Sequence, residues 1–111
     1  MYTHPQHRAG EAAKRLRRSA GAWLRELRLA RGLTQRDLAD KVGVAYYTFV
    51  SQIEAGKGRV PPESYGAWAD ALGVGKAEFV RRLLSYYDPY TYEALFEGAG
   101  APPPSELPKT E

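Results

Sequence analysis

The sequence predicts an all-α fold of five to six helices. Its apolar residues recur at helical spacing, and glycine or proline interrupts them at short intervals. No stretch of useful length alternates between apolar and polar residues, as a half-buried strand would, and no internal repeat is visible. The 111 residues are enough for one domain, and the absence of cysteine excludes disulfides and thiolate zinc sites.

Two helices account for the chain up to Gly43. We expect the first to begin between Gly10 and Ser19 and to end at Arg31, since Gly32 suits the left-handed residue that follows a helix. The second starts at Thr34, where Thr34-Gln35-Arg36-Asp37 resembles a capping box. The predicted inner faces carry Trp23, Leu24 and Leu27 in the first helix and Leu38, Ala39 and Val42 in the second.

Four further segments follow the same pattern. A third helix is expected over about 45–55, with Gly56 as its stop and a basic loop over 57–61. Pro62 suits the first turn of a fourth helix that ends at Gly73. A fifth helix spans about 76–87, and Asp88-Pro89 opens a short sixth. The inner faces of the fourth and fifth helices carry Tyr65, Trp68, Ala69 and Leu72, then Phe79, Val80, Leu83 and Leu84, and the sixth helix contains Tyr92, Leu95 and Phe96.

The charge is divided unevenly along the chain. Residues 1–60 carry 12 Lys and Arg against 5 Asp and Glu, whereas residues 61–111 carry 4 against 8. Such a basic end indicates a polyanion partner or, equally well, a solvated helix face. An anionic membrane surface is a third option, but residues 8–20 offer only Leu16 and alanines for insertion. The longest stretch without charge, from Val42 to Ile53, is too short to span a bilayer.

These patterns divide the chain into three parts. Residues 1–18 form a basic N-terminal arm, which is partly disordered or extends the first helix, with disorder expected from Met1 to Arg8. Residues 19–97 form the folded domain with its C-terminal aromatic helices. Residues 98–111 contain four prolines, two glycines and a single leucine, so we expect a disordered tail. No apolar signal-peptide region follows Met1, and a cytoplasmic location is expected.

The segment from Thr34 to Gly56 indicates a helix-turn-helix. Its two short helices are separated only by Val42-Gly43-Val44, so the second helix cannot return antiparallel and must cross the first steeply. Ala39 is small enough to let the two backbones approach. In this geometry the second helix projects into the major groove of double-stranded DNA.

Several sequence motifs strongly resemble the Cro/C1-type (XRE-like) helix-turn-helix family, in the right order and spacing. They are Leu27-Arg28-Leu29-Ala30-Arg31-Gly32-Leu33-Thr34-Gln35, Leu38-Ala39, Val42-Gly43-Val44, Ser51-Gln52-Ile53-Glu54-Ala55-Gly56-Lys57 and Ala71-Leu72-Gly73-Val74. The resemblance covers about residues 20–86 and implies a lambda-repressor-like bundle. Between Gly43 and Ile53 the chain has one residue more than the family pattern, located in the turn or at the start of the third helix.

Helical periodicity suggests which residues of the third helix could read bases. At about 100° per residue, Val50 and Ile53 define the inward direction, and Tyr46 falls on the same side, so Tyr46 is assigned to packing. Thr48 and Gln52 point outward and are the base-reading candidates, because glutamine pairs with adenine and threonine contacts a thymine methyl. Tyr47 is a candidate for a base-edge or phosphate contact.

Other residues are candidates for contacts to the DNA backbone. Ser51, Lys57 and Arg59 are placed for phosphate contacts, which supply affinity but no sequence choice. Gln35 lies in the first turn of the second helix, and the resemblance implies that it contacts the backbone. Thr34 and Arg36 are further candidates at that helix start. The basic segment from Arg8 to Arg18 either extends the first helix or forms an arm that gathers phosphates or enters the minor groove. The resemblance also implies a structural ion pair between Arg28 and Glu54 that orients the recognition helix.

The remaining expectations concern chemistry and partners. The two histidines, His4 and His7, lie in the N-terminal segment, and no nucleophile, metal or phosphate-loop motif is present, so neither an enzyme nor a cofactor is expected. A homodimer through the C-terminal aromatic helices would match a two-fold-related operator. The alternative is a protein-interaction module of the same fold, such as an antitoxin component. The residues assigned to the homodimer interface are Tyr86, Tyr87, Tyr90, Tyr92, Leu95 and Phe96.

Overall fold

The computed structural model of the chain describes residues 5–97, with side chains from Gly10 onward. Every regular element within these residues is helical, which confirms the predicted all-α class. The helices are α1 (Pro5–Ala30), α2 (Gln35–Val42), α3 (Tyr47–Glu54), α4 (Tyr65–Leu72), α5 (Lys76–Tyr87) and α6 (Pro89–Tyr92). A 3-10 turn over Pro62–Ser64 leads into α4, and a π-helical turn over Glu93–Glu97 follows α6.

The first helix is longer than the sequence pattern predicted. It begins at Pro5 instead of between Gly10 and Ser19, so the disorder expected for residues 5–8 is wrong. Proline is well tolerated at the first helical position, and the alanine, arginine and lysine residues beyond Gly10 are strong helix formers. Residues 1–4, with His4, and the predicted tail over 98–111 lie outside the described residues.

The helix ends follow the predicted capping residues. The Thr34 hydroxyl accepts a hydrogen bond from the Asp37 N–H, and the Asp37 carboxylate accepts one from the Thr34 N–H, both at 2.9 Å. Within this reciprocal capping box the pKa of Asp37 lies below its usual value, chiefly because the hydrogen bond from the Thr34 N–H favours the charged carboxylate. Gly43 and Gly73 end α2 and α4 in the left-handed conformation.

The core lies between α1, which runs along one side, and the other helices. Trp68 and Phe79 are its largest fully buried side chains, and the Phe79 ring lies 5.6 Å from that of half-buried Trp23. The predicted inner-face positions of α1 through α5 are buried or half-buried, as helical periodicity requires. The fully buried core also includes Leu24, Leu38, Val50, Ile53, Val60 and Leu83.

The connection between α2 and α3 corrects one prediction. α2 ends at Val42 and α3 begins at Tyr47, so the extra residue is accommodated in the link and α3 starts two residues later than expected. Tyr46 has extended backbone angles, with φ −124° and ψ 130°, and is 75% exposed. The assignment of Tyr46 to packing is therefore wrong, because a helical projection does not apply to a residue outside the helix.

Candidate nucleic-acid interface

The exposed face of α3 is polar over its middle and last turns. Val50 and Ile53 are buried against the core, while Thr48 and Gln52 are exposed on the opposite side, in the predicted orientation. Ser51 is half-buried, and its hydroxyl donates a 3.3 Å hydrogen bond to the Thr48 carbonyl oxygen. The side chains of Thr48 and Gln52 make no hydrogen bond to the described part of the protein, so their polar groups are available to a ligand.

The start of α3 is aromatic. Tyr46, Tyr47 and Phe49 are all exposed, and they precede or begin the helix at the end that a recognition helix presents to DNA. The Arg36 guanidinium, which α2 supplies, lies 4.9 Å from the centre of the Tyr47 ring. This cation–π contact places the guanidinium beside the exposed aromatic ring at the start of α3.

A buried ion pair joins the end of α1 to the end of α3. The Arg28 Nε and Nη2 donate to the two Glu54 carboxylate oxygens at 2.6 and 3.0 Å. These side chains are only 7% and 3% exposed. A third donor of Arg28, Nη1, bonds the Leu33 carbonyl oxygen at 2.8 Å, so one guanidinium connects α1, the turn before α2, and α3.

Gln35 belongs to the same hydrogen-bond network. Its side-chain amide donates to Glu54 Oε1 at 3.1 Å, and the residue is half-buried. The side chain therefore lies toward α3, the side predicted for it. Its amide nitrogen contributes to the α2–α3 connection within the domain.

Two glycines set the distance between α1 and the end of α3. A Cβ atom at Gly21 would lie 2.2 Å from the Glu54 carbonyl oxygen, and one at Gly56 would lie 2.8 Å from the Arg18 Cα. Gly56 is also left-handed, with φ +80°, immediately after α3. Both positions require glycine because backbone approaches backbone there.

The segment after α3 presents two predicted phosphate-binding cations. Lys57 is exposed, and the Arg59 guanidinium lies 4.8 Å from the centre of the Tyr87 ring. The Tyr87 hydroxyl accepts a 3.2 Å hydrogen bond from the Val60 N–H. Burial raises the pKa of Tyr87, and this hydrogen bond together with nearby Arg59 offsets part of the rise.

The aromatic residues near the C-terminus divide into two groups. Tyr86 and Tyr87 pack against the core, with the Tyr86 ring 6.1 Å from that of Trp23. Tyr92 and Phe96 pack against each other at 5.3 Å. Tyr90 and Leu95 point outward and are 83% and 59% exposed.

Sequence reasoning missed the roles of two glycines and one spatial cluster. Gly21 carried no signal, since a glycine inside a helix reveals its neighbour only once the helices are packed. The sequence predicts Gly56 only as a helix stop. Lys14, Arg17 and Arg18 belong to the predicted basic N-terminal arm, but their position beside Lys57 depends on the tertiary fold.

Comparison with known families matches residues 19–88 to the model of a helix-turn-helix domain. The chain belongs to this helix-turn-helix family. The match runs from the middle of α1 through α5, and it includes the α2–α3 pair with its outward polar face. Membership indicates a DNA-binding regulator in general terms. No curated protein matches the chain.

None of the helices within residues 5–97 has the length and apolar character needed to cross a membrane. Within the same residues, no three metal-binding side chains lie together.

Proposed function

We propose that this helix-turn-helix protein is a sequence-specific transcriptional regulator of the Cro/C1 type, with α3 as the recognition helix in the major groove of DNA. The observation that carries the proposal is the division of α3 into a buried face, with Val50 and Ile53, and an exposed polar face, with Thr48 and Gln52. A recognition helix needs this division, because its buried face holds it to the domain while its exposed face presents hydrogen-bonding groups to the base edges.

The exposed residues of α3 have chemistry suited to reading base edges. The Gln52 amide can donate to and accept from adenine together, and Thr48 can bond a base or contact a thymine methyl. Tyr47 adds an aromatic edge beside them, with a hydroxyl for a base or a phosphate. Tyr46 lies next to this face and adds apolar surface at the tip of the helix.

Residues around α3 would hold the DNA backbone. Arg36 and Arg59 are each stacked on a tyrosine ring, which limits the entropy lost when the guanidinium binds a phosphate. Such contacts fix the register of the protein on DNA and carry no sequence information. The proposed backbone-binding residues are Thr34, Gln35, Arg36, Ser51, Lys57 and Arg59.

The Arg28–Glu54 pair would act by orienting the recognition helix. It anchors the last turn of α3 to α1, at the end opposite to Tyr46 and Tyr47. Base contacts require the helix to be held in one orientation, because small displacements break bidentate hydrogen bonds. We therefore assign the pair a structural role, without contact to DNA.

Homodimerisation is proposed through the outward part of the C-terminal aromatic helices. Tyr90 and Leu95 are the exposed members of this group, whereas Tyr86 and Tyr87 contribute to the core of the same chain. A two-fold dimer places its recognition helices about 34 Å apart, one turn of DNA. The operator would then be an inverted repeat.

Selection of bound duplexes from a random DNA pool, at near-physiological salt, tests the proposal. Enrichment of an inverted repeat is the expected result, and an unrepeated site would retain the regulator while removing the symmetric dimer. Retention without any enriched sequence would refute sequence-specific regulation. Gln52→Ala and Thr48→Ala should each reduce discrimination between sites, whereas Ala77→Ser, an exposed control on α5, should not.

A partner-binding module of the same fold, such as an antitoxin component, is the second candidate. The exposure of Tyr90 and Leu95 favours it, since aromatic and apolar side chains are enriched at interface cores. Light scattering distinguishes the two uses of this surface. If the wild type is a dimer and Tyr90→Ser/Leu95→Ser is a monomer, the surface serves self-association. If the wild type is already a monomer, the result favours a different protein as the partner of this surface.

A further inference from the structure

The first half of α1 and the turn after α3 enclose a cationic cleft of about 420 Å³. Four of its lining residues are basic and none is acidic. The part of α1 before Ser19, which supplies three of the four cations, lies outside the residues matched to the helix-turn-helix family, whereas the turn after α3 lies within them. The residues that line it are Lys14, Arg17, Arg18, Ala55, Gly56 and Lys57.

We propose that this cleft binds phosphates of the DNA backbone beside the bases contacted by α3. The inference rests on the proposed function only for the position of the duplex. It adds a second, sequence-independent contact that lengthens the footprint of the domain. The ligand class is the phosphodiester, which two to four closely spaced cations recognise by charge and hydrogen bonding.

The cleft has a fixed position relative to the recognition helix. Gly56 allows the backbone of Arg18 to lie against the end of α3, and Gly21 allows α1 to approach the Glu54 carbonyl oxygen closely. Because both contacts involve backbone atoms, α1 cannot slide along α3 without a clash. Cations on this part of α1 therefore keep a constant distance from the outward face of α3.

Its cations are not committed to other tasks within the described residues. Lys14 has one acidic neighbour, Glu11, at 4.0 Å on an exposed surface, where an ion pair contributes little. Within residues 10–97, Arg17, Arg18 and Lys57 have no carboxylate within salt-bridge distance. Like charges held together in this way repel one another, and a bound polyanion removes that repulsion.

The end of α3 does not require these cations as caps. Its last carbonyl groups accept hydrogen bonds from the backbone N–H groups of the next residues, with Lys57 N–H bonding the Gln52 carbonyl at 2.9 Å. Gly56 N–H bonds the Ile53 carbonyl at 3.1 Å. The carbonyls of Ser51, Gln52 and Ile53 are thus capped by backbone N–H groups, and the basic side chains of the cleft remain available to an external anion.

The proposal predicts a specific change in salt dependence. Log affinity falls with log salt concentration, and each phosphate neutralised on duplex DNA contributes about −0.9 to that slope. Lys14→Gln/Arg18→Gln, at two positions one turn apart on α1, should reduce the magnitude of the slope by about 1.8. If the wild type and this variant bind DNA with equal affinity at about 1 M salt, the variant should bind about 30-fold more weakly than the wild type at about 0.15 M salt.

The matched control is Lys41→Gln/Lys76→Gln, which removes the same charge from α2 and α5, outside the cleft. Fluorescence anisotropy titrations across a salt series would use the full chain with a selected duplex and with a random duplex. We expect the cleft variant to lose affinity about equally on both duplexes and the control to lose much less. Equal slopes for the two variants would overturn the proposal.

Trimming the duplex locates the contact. Removal of base pairs flanking the selected site should abolish the difference between the wild type and the cleft variant. A difference that survives trimming would place the cations elsewhere and refute the cleft. Should Lys14→Gln/Arg18→Gln melt much earlier than the wild type in circular dichroism, Lys14→Gln/Lys57→Gln tests the same cleft at two exposed positions.

The two proposals fail in different ways. If the wild type enriches no DNA sequence, but its salt dependence is steeper than that of the cleft variant, sequence-specific regulation is refuted and the phosphate cleft is retained. A wild type that selects a site, with a cleft variant that behaves like the control, retains the regulator and refutes the cleft. Binding of the wild type to anionic vesicles without any slope change on DNA would also overturn the phosphodiester assignment.

Discussion

The substitution Arg28→Met tests whether the buried ion pair holds α3 in place. Methionine retains much of the aliphatic length of arginine, but it leaves the Glu54 carboxylate, only 3% exposed, with the Gln35 amide as its remaining partner. Breaking a buried pair by removing one partner costs about 3–5 kcal/mol. Small domains have about 5–15 kcal/mol of stability, so the variant should lose a large part of it.

The assay is urea unfolding followed by circular dichroism, with thermal melts beside it. A loss of about 3 kcal/mol corresponds to a fall in melting temperature of at least about 10 °C for a domain of this size. Arg28→Met/Glu54→Leu should recover most of the loss, because the uncompensated charge is gone and two apolar side chains can pack. The recovery should be incomplete, since Leu33 and Gln35 also lose hydrogen-bond partners.

Two results would refute this reasoning. A cost below about 1 kcal/mol for Arg28→Met is the value of a surface pair and would mean that water reaches Glu54. A double variant no more stable than the single one would show that the cost comes from lost packing around Arg28. The coupling free energy from the complete mutant cycle distinguishes these two cases.

Three further predictions concern the helix ends and the α1–α3 approach. Gly21→Ala should destabilise the domain in thermal melts, because its Cβ would lie 2.2 Å from the Glu54 carbonyl oxygen; an unchanged melting temperature would mean that α1 moves freely there. Thr34→Ala should cost about 1 kcal/mol in urea unfolding by removing the capping hydrogen bond, and a cost near zero would mean that α2 frays in the wild type. The hydrogen bonds at Asp37 and Asp88 lower the pKa of both carboxyls in the folded state. The two carboxylates therefore stabilise the folded domain fully above the unfolded-state pKa, and this contribution disappears as the pH falls through the folded-state pKa. The melting temperatures of the wild type and of Asp37→Asn/Asp88→Asn should therefore differ at pH 6 and converge in acid, whereas a constant difference would contradict the capping role.

Local signals in the sequence predicted the positions of most helices. The ends of α2 depend on Thr34, Asp37 and Gly43, which lie within or beside the helix that they cap. The inward faces also follow from sequence, because Val50 and Ile53 repeat at a spacing that only one face of a helix can bury. Such features need no knowledge of the neighbouring helices.

Two kinds of feature were not predictable from the sequence. One depends on which of two conformations a short segment adopts, and the other depends on contacts between segments that are distant along the chain. The additional residue between α2 and α3 could lengthen either the link or the helix, and its place in the link turned Tyr46 outward. The cleft joins Arg18 of α1 to Lys57 in the turn after α3, and their proximity follows from the packing of α1 against the end of α3. No periodicity within either segment contains that information.

The packing of α1 connects stability with the proposed recognition. Arg18, Gly21 and Arg28 lie on one face of α1, and each contacts the last turn of α3 or the residue just after it. The exposed N-terminal end of α3 is therefore held in position by contacts that α1 makes at the C-terminal end of α3. Substitutions of Gly21 and Arg28 should weaken DNA binding together with thermal stability, whereas Gln52→Ala should change site discrimination at an unaltered melting temperature. A collection of binding-deficient variants, each tested for both properties, checks this separation. Stable variants on the α1 face that fail to discriminate sites would show that α1 contacts bases directly, and would overturn its role as a support for α3.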